Sequence, residues 1–160
     1  MTEFTQHFIP PFSTIHLALF EAKGAEYSVN LHRISAENRY DSSVIFPENY
    51  LFSTGGCWEV TFDLAENIKN QRWFQRPRQP TASALRVLRQ LGKVIDDHYT
   101  LYRGGMYVFS ADSKALADVY IKMIARKLGK GTTLESGLDP ERRGYVIRTQ
   151  RCYPQARAAR

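Results

Sequence analysis

Thr81-Ala82-Ser83-Ala84-Leu85-Arg86-Val87-Leu88-Arg89-Gln90-Leu91-Gly92-Lys93-Val94 is the stretch whose reading decides the fold. Thr81 is a helix N-cap residue, Leu85, Leu88 and Leu91 form an apolar stripe, and Gly92 is a stop signal. These features predict a helix over 82–91, with Arg86, Arg89 and Lys93 off the stripe. Beyond it, 94–102 and 106–110 have strand composition and flank Gly104-Gly105, which reads as a hairpin turn. Asp112 then caps a helix over 113–128, with Leu116, Tyr120, Met123 and Ile124 at helical spacing. Arg126 and Lys127 suit its negative C-terminal end, and Gly129 is its stop. A last strand is expected over 145–151.

Upstream, 14–20 and 27–34 flank Ala22-Lys23-Gly24-Ala25 and predict a β-hairpin. Segments 50–53 and 57–62 flank Gly55-Gly56 and predict a second one, separated from the first by a polar, Pro-interrupted loop over 35–50. Asp63, with Glu66 three residues on, has the pattern that opens a helix, here 64–74, which Pro77 and Pro80 end. The Gly- and Thr-rich segment 129–144 reads as mobile. The expectation is a single α+β domain over residues 1–153. Its N-terminal antiparallel β-hairpins are followed by a helix–hairpin–helix–strand unit, ferredoxin-like or winged-helix-like. Residues 154–160 are expected to be a basic disordered tail.

Composition narrows the function. Hydrophobic residues make up 43% of 160, enough for a packed core, which excludes a disordered chain. No apolar run reaches the roughly 18–20 residues of a membrane span. The first residues lack a basic segment followed by an apolar one, so no secretion signal is expected. Cys57 and Cys152 are too few for a zinc cluster or a disulfide framework. The expected setting is cytoplasmic and reducing, with no membrane, no metal and no cofactor.

Charge is distributed unevenly. Residues 1–66 carry three Lys/Arg against nine Asp/Glu, and residues 67–160 carry nineteen against seven. No acid occurs between Asn67 and Ile95, where Lys69, Arg72, Arg76, Arg78, Arg86, Arg89 and Lys93 lie; Arg142 to Arg160 holds six Arg and no acid. Such asymmetry points to a polyanionic partner, or to an acidic half that covers the basic one. Within the basic run, Arg72-Trp73-Phe74-Gln75-Arg76-Pro77-Arg78 interleaves rings that stack on bases with cations that neutralise phosphate. The same rings also suit a helix end anchored in the core.

Three resemblances bear on function. The helix over 82–91 with the hairpin after it resembles a winged helix-turn-helix. That resemblance implies that Ser83, Arg86 and Gln90 face bases and that Arg103 sits on a wing against phosphate. A Pro-rich run, 75–80, stands where that family has a short helix and a tight turn. Arg103-Gly104-Gly105-Met106-Tyr107-Val108-Phe109 resembles the longer motif of RNA-recognition domains, which implies base stacking by Tyr107 and Phe109. Gly105 and Met106 depart from that motif. The run from Gly105 to Lys114 resembles a segment of ADP-ribosyltransferases, which implies a clamp for nicotinamide and a downstream Glu at Glu135 or Glu141. An inserted Val108 breaks that register.

Acid–base and metal patterns are weaker. His16 and His32 are candidates to face one another across the first hairpin, and Asp96, Asp97 and His98 cluster in sequence. Gly129-Lys130-Gly131-Thr132-Thr133 copies part of a phosphate loop but follows a helix and lacks the first Gly. The sequence therefore leads to a non-enzymatic nucleic-acid-binding protein, DNA and RNA not distinguished. Its expected contacts are Arg72, Trp73, Arg76, Arg78, Ser83, Arg86, Arg89, Gln90, Lys93 and Arg103, with the Arg-rich C-terminus. The alternative is a protein-interaction module, an inhibitor or adaptor that docks on a nucleic-acid-processing protein. An NAD-dependent transferase is a third.

Overall fold

A computed structural model describes residues 1–11, 13–73, 84–110 and 114–153. The protein is of the α+β class. Its strands are β1 (Thr5–Ile9), β2 (Ser13–Ala22), β3 (Ala25–Ile34), β4 (Cys57–Leu64), β5 (Met106–Ser110), β6 (Thr133–Leu138) and β7 (Gly144–Arg148). Its helices are α1 (Ala65–Lys69), α2 (Ala84–Tyr102) and α3 (Lys114–Leu128), with a 3-10 turn at Arg39–Asp41. The strands form one mixed sheet in the order β1-β2-β3-β4-β5-β7-β6, in which only β4 and β5 run parallel.

The first hairpin forms as the sequence implies. Ala22 pairs with Ala25 across a two-residue loop, and its central residues, Lys23 and Gly24, have φ of +47° and +83°. Both central residues of a type I′ turn need positive φ, and that turn matches the right-handed twist of the strands. Alternation then divides β4 and β5 between two cores. Trp58, Val60, Tyr107 and Phe109 pack against Leu88, Leu91, Ile95, Ile121 and Ile124 of the helix layer. Cys57, Met106 and Val108 point to the other face, where Val44 and Phe46 of the long loop cover them.

That loop is tied down by polar contacts. Buried Glu59 accepts hydrogen bonds from the Ser42 hydroxyl at 2.7 Å and from the Ser43 amide and hydroxyl at 3.0 and 2.8 Å. Arg39 donates to the carbonyls of Phe46, Pro47 and Glu48. At its far end Tyr50 donates to Glu135 and accepts from Arg148.

Several sequence expectations are overturned. Residues 94–102 are helical: α2 runs through Gly92 to Tyr102. Leu88, Leu91, Ile95 and His98 are buried at 3–4-residue spacing, so burial of that face outweighs the strand preference of Val94, Ile95, Tyr99 and Thr100. Gly104-Gly105 therefore turns no hairpin, and the wing, or second ferredoxin-like strand, is absent. No strand forms over 50–53; β4 pairs instead with β3 and β5. The helix after Asp63 spans only Ala65–Lys69, its N-cap is Leu64, and the Asp63 carboxylate bonds the Leu64 amide and the Asn67 side chain. Segment 129–144, read as mobile, contains β6, which β7 organises by pairing. β1 was not anticipated. The third helix ends as expected, at Gly129 with φ +88°. Its proposed cap, Asp112, and the tail 154–160 lie outside the described residues.

Candidate nucleic-acid interface

Because α2 buries Val87, Leu88, Leu91, Val94, Ile95 and His98, helical geometry turns Arg86, Arg89 and Lys93 to the outside, where all three are exposed. Gln90 is half-buried. α3 buries Ile121, Ile124 and Leu128 against the same sheet face and exposes Lys122, Arg126 and Lys127, with exposed Lys130 just beyond. The two helices pack side by side. A methyl group on Gly92 would lie 3.7 Å from Ile124 and 3.8 Å from the Lys127 ammonium, so Lys127 reaches across to α2. Residues 84–95 and 119–134 contain no acid, so neither segment supplies a carboxylate of its own to these seven cations.

The remaining sequence candidates scatter. Arg72 is half-buried after α1, and Trp73 beside it is 58% exposed. Arg103 is exposed just past α2, at φ +53°. Arg76, Arg78 and Ser83 lie outside the described residues. In the C-terminal segment, Arg148 pairs with Glu135 at 2.8 Å and Arg143 with Glu141 at 2.8 Å, so part of that charge is neutralised locally. Arg142 and Arg151 are exposed.

Tyr107 and Phe109 are 0% and 1% exposed, so neither is placed to stack on a base. The same burial takes Tyr107 away from any nicotinamide clamp, and Glu135 and Glu141 are both in ion pairs. His16 and His32 fall on opposite sheet faces, because His16 is registered with Leu31 and His32 with Ile15. Asp96, Asp97 and His98 occupy a helix, where Asp97 accepts from the Thr2 amide and hydroxyl.

His16 finds a partner that sequence reading missed. Its Nδ1 lies 2.8 Å from His98 Nε2, and His98 Nδ1 lies 2.8 Å from the Tyr107 hydroxyl. Trp58 stacks on His16, and Phe4 and Tyr102 close over the pair. Burial, then the neighbouring His16, pushes the His98 pKa down to about 3. Burial, then the Arg33 guanidinium, lowers that of His16. Burial raises the Tyr107 phenol. All three groups are thus held neutral, which makes them a packing device within the core. His98 was legible only as part of an acidic cluster, because its true partner lies 82 residues away.

Among the described residues no group of three metal-ligating side chains occurs, and no helix is long and apolar enough to cross a membrane. Cys57 and Cys152 are buried free thiols, and burial raises the pKa of Cys57. Compared with known proteins, the chain matches no family model, no curated protein and no solved structure.

Proposed function

We propose that this chain is a non-enzymatic, cytoplasmic nucleic-acid-binding protein whose phosphate-contacting surface is the outer face of α2 and α3. The observation that carries the reading is the double basic row: Arg86, Arg89 and Lys93 on one helix beside Lys122, Arg126, Lys127 and Lys130 on and after the other, in two segments without an acid. Like charges gathered on one surface repel one another, and a polyanion relieves that repulsion while releasing its own counterions. The surface carries a field more than a base-reading pattern, so binding to duplex should be largely independent of sequence.

Titration of a labelled strand at several salt concentrations tests this. Affinity should fall steeply with salt, with a logarithmic slope of about −0.9 per phosphate contact on duplex DNA and about −0.7 on a single strand. Replacing Arg89 and Lys93 by Ala should reduce the slope by about two contacts, and replacing Lys122 and Arg126 by Ala should do the same. Lys23→Asn, in the turn of the first hairpin, should change nothing. Absence of binding at low salt would sink the reading; an effect of the α2 pair alone would remove α3 from the surface.

One observation favours the alternative of a protein-interaction module. Edge strand β1 is exposed along its whole length and holds no Lys, Arg, Asp or Glu, with Phe8 63% and Ile9 52% exposed. Such an edge can accept a strand from another chain. Replacing Phe8 by Lys should abolish partner capture and leave strand binding intact if both readings hold.

A further inference from the structure

On the sheet face opposite α2 and α3, a half-open cleft of about 270 Å³ lies beneath Trp73. Its floor is two cross-strand pairs of β3 and β4, Ser28 with Asp63 and Asn30 with Thr61, whose side chains share that face. Ile68 of α1 and Trp73 make its wall. The indole is 58% exposed although a hydrophobic core lies on either face of the sheet, so it is not spent on packing.

We infer that this cleft takes a single unstacked nucleobase of a bound single strand, with Trp73 as the stacking surface. The inference rests on the nucleic-acid reading above and names its substrate class. Three features favour a base. An exposed indole beside a narrow slot offers a planar ring a face to stack on, and stacking is tolerant of base identity. Hydroxyl and amide groups of Ser28, Asn30 and Thr61 across the floor suit the amino and imino edges of a base. The Asp63 carboxylate disfavours a phosphate in the same place, so the ring enters and the backbone stays outside. The chain continues from Trp73 through the basic segment that holds Arg76 and Arg78 into α2, so the cleft and the basic face bracket one sequence run. Paired bases in a duplex cannot reach such a slot without being extruded, which makes the cleft selective for single strands.

The test uses the whole chain and two labelled strands of about a dozen nucleotides, one with bases and one abasic. The wild type should bind the base-bearing strand about tenfold more tightly than the abasic one. Trp73→Ala should erase that preference, leaving abasic affinity and salt slope unchanged, and Trp73→Phe should keep most of it. Retention of the preference in Trp73→Ala overturns the inference while leaving the basic-face reading standing. Equal weakening on both strands also overturns it, because Trp73 would then act through the backbone surface. Failure of the wild type to bind either strand sinks the nucleic-acid reading itself.

Discussion

The buried histidine pair makes stability depend on pH in a window where few other groups titrate. His98 is 0% exposed, and its pKa is lowered to about 3 from 6.5. Because the native pKa lies below the unfolded one, the unfolded chain binds more protons at any pH between them, and stability falls as pH falls. The loss begins near pH 6.5 and is complete near the native value. Each unit is worth about 1.4 kcal/mol, so His98 alone should cost about 2 kcal/mol between pH 7 and pH 5. His16 is shifted in the same direction, chiefly by burial and then by Arg33, and adds to the loss. Two positive imidazoles 2.8 Å apart would repel, so the pair resists charging as a unit. Asp97, the residue before His98, turns its carboxylate to Thr2, and the causes that lower His98 are burial and His16. Urea unfolding at pH 7 and pH 5 reads the effect, with His98→Gln as the comparison. The variant will be less stable at pH 7, having lost a tailored contact. Its decline towards pH 5 should nevertheless be smaller than that of wild type by about 2 kcal/mol. Equal declines in the two proteins would refute the reasoning.

Two glycines behave oppositely when given a side chain. Gly92 lies inside α2 with its nearest neighbours at ordinary contact distance, 3.7 Å, so Gly92→Ala should raise stability by about 0.5–1 kcal/mol through helix propensity, read as a shift of the urea midpoint. A Cβ on Gly105 would meet the Ser53 hydroxyl at 2.0 Å and the Cys152 Cα at 3.0 Å, where Ser53 bonds the Cys152 carbonyl. Gly105→Ala should therefore cost about 1–3 kcal/mol, and adding Ser53→Gly should recover part of it. Removing α3's Lys122 and Arg126, and separately Trp73, should give the salt-slope and base-preference changes described above.

Some elements were written locally. The Lys23-Gly24 turn needs two positive φ values that few residue pairs accept, so the first hairpin could be read from the short runs 14–20 and 27–34 on either side. The Gly129 stop and the strand Met106–Ser110 were legible for similar short-range reasons, as was the α+β class. Composition likewise determined that the second half is basic and that 67–95 holds no acid.

Other features depended on contacts far apart in the chain. Residues 94–102 carry β-branched and aromatic side chains that suit either structure. Only the core that receives Ile95 and His98 makes them a helix. β6 is a strand because β7 offers it a ladder, a pairing that local composition does not encode. The candidate interface has the same origin. Arg89 and Lys93 were visible as one basic row, but the second row became its neighbour only when α3 packed across Gly92. The Trp73 cleft exists because β3 and β4 pair in a register that puts Ser28, Asn30, Thr61 and Asp63 on one face. Sequence sets the charge and the side-chain chemistry, whereas proximity between distant segments is a property of packing, and both proposed sites are made of such proximity.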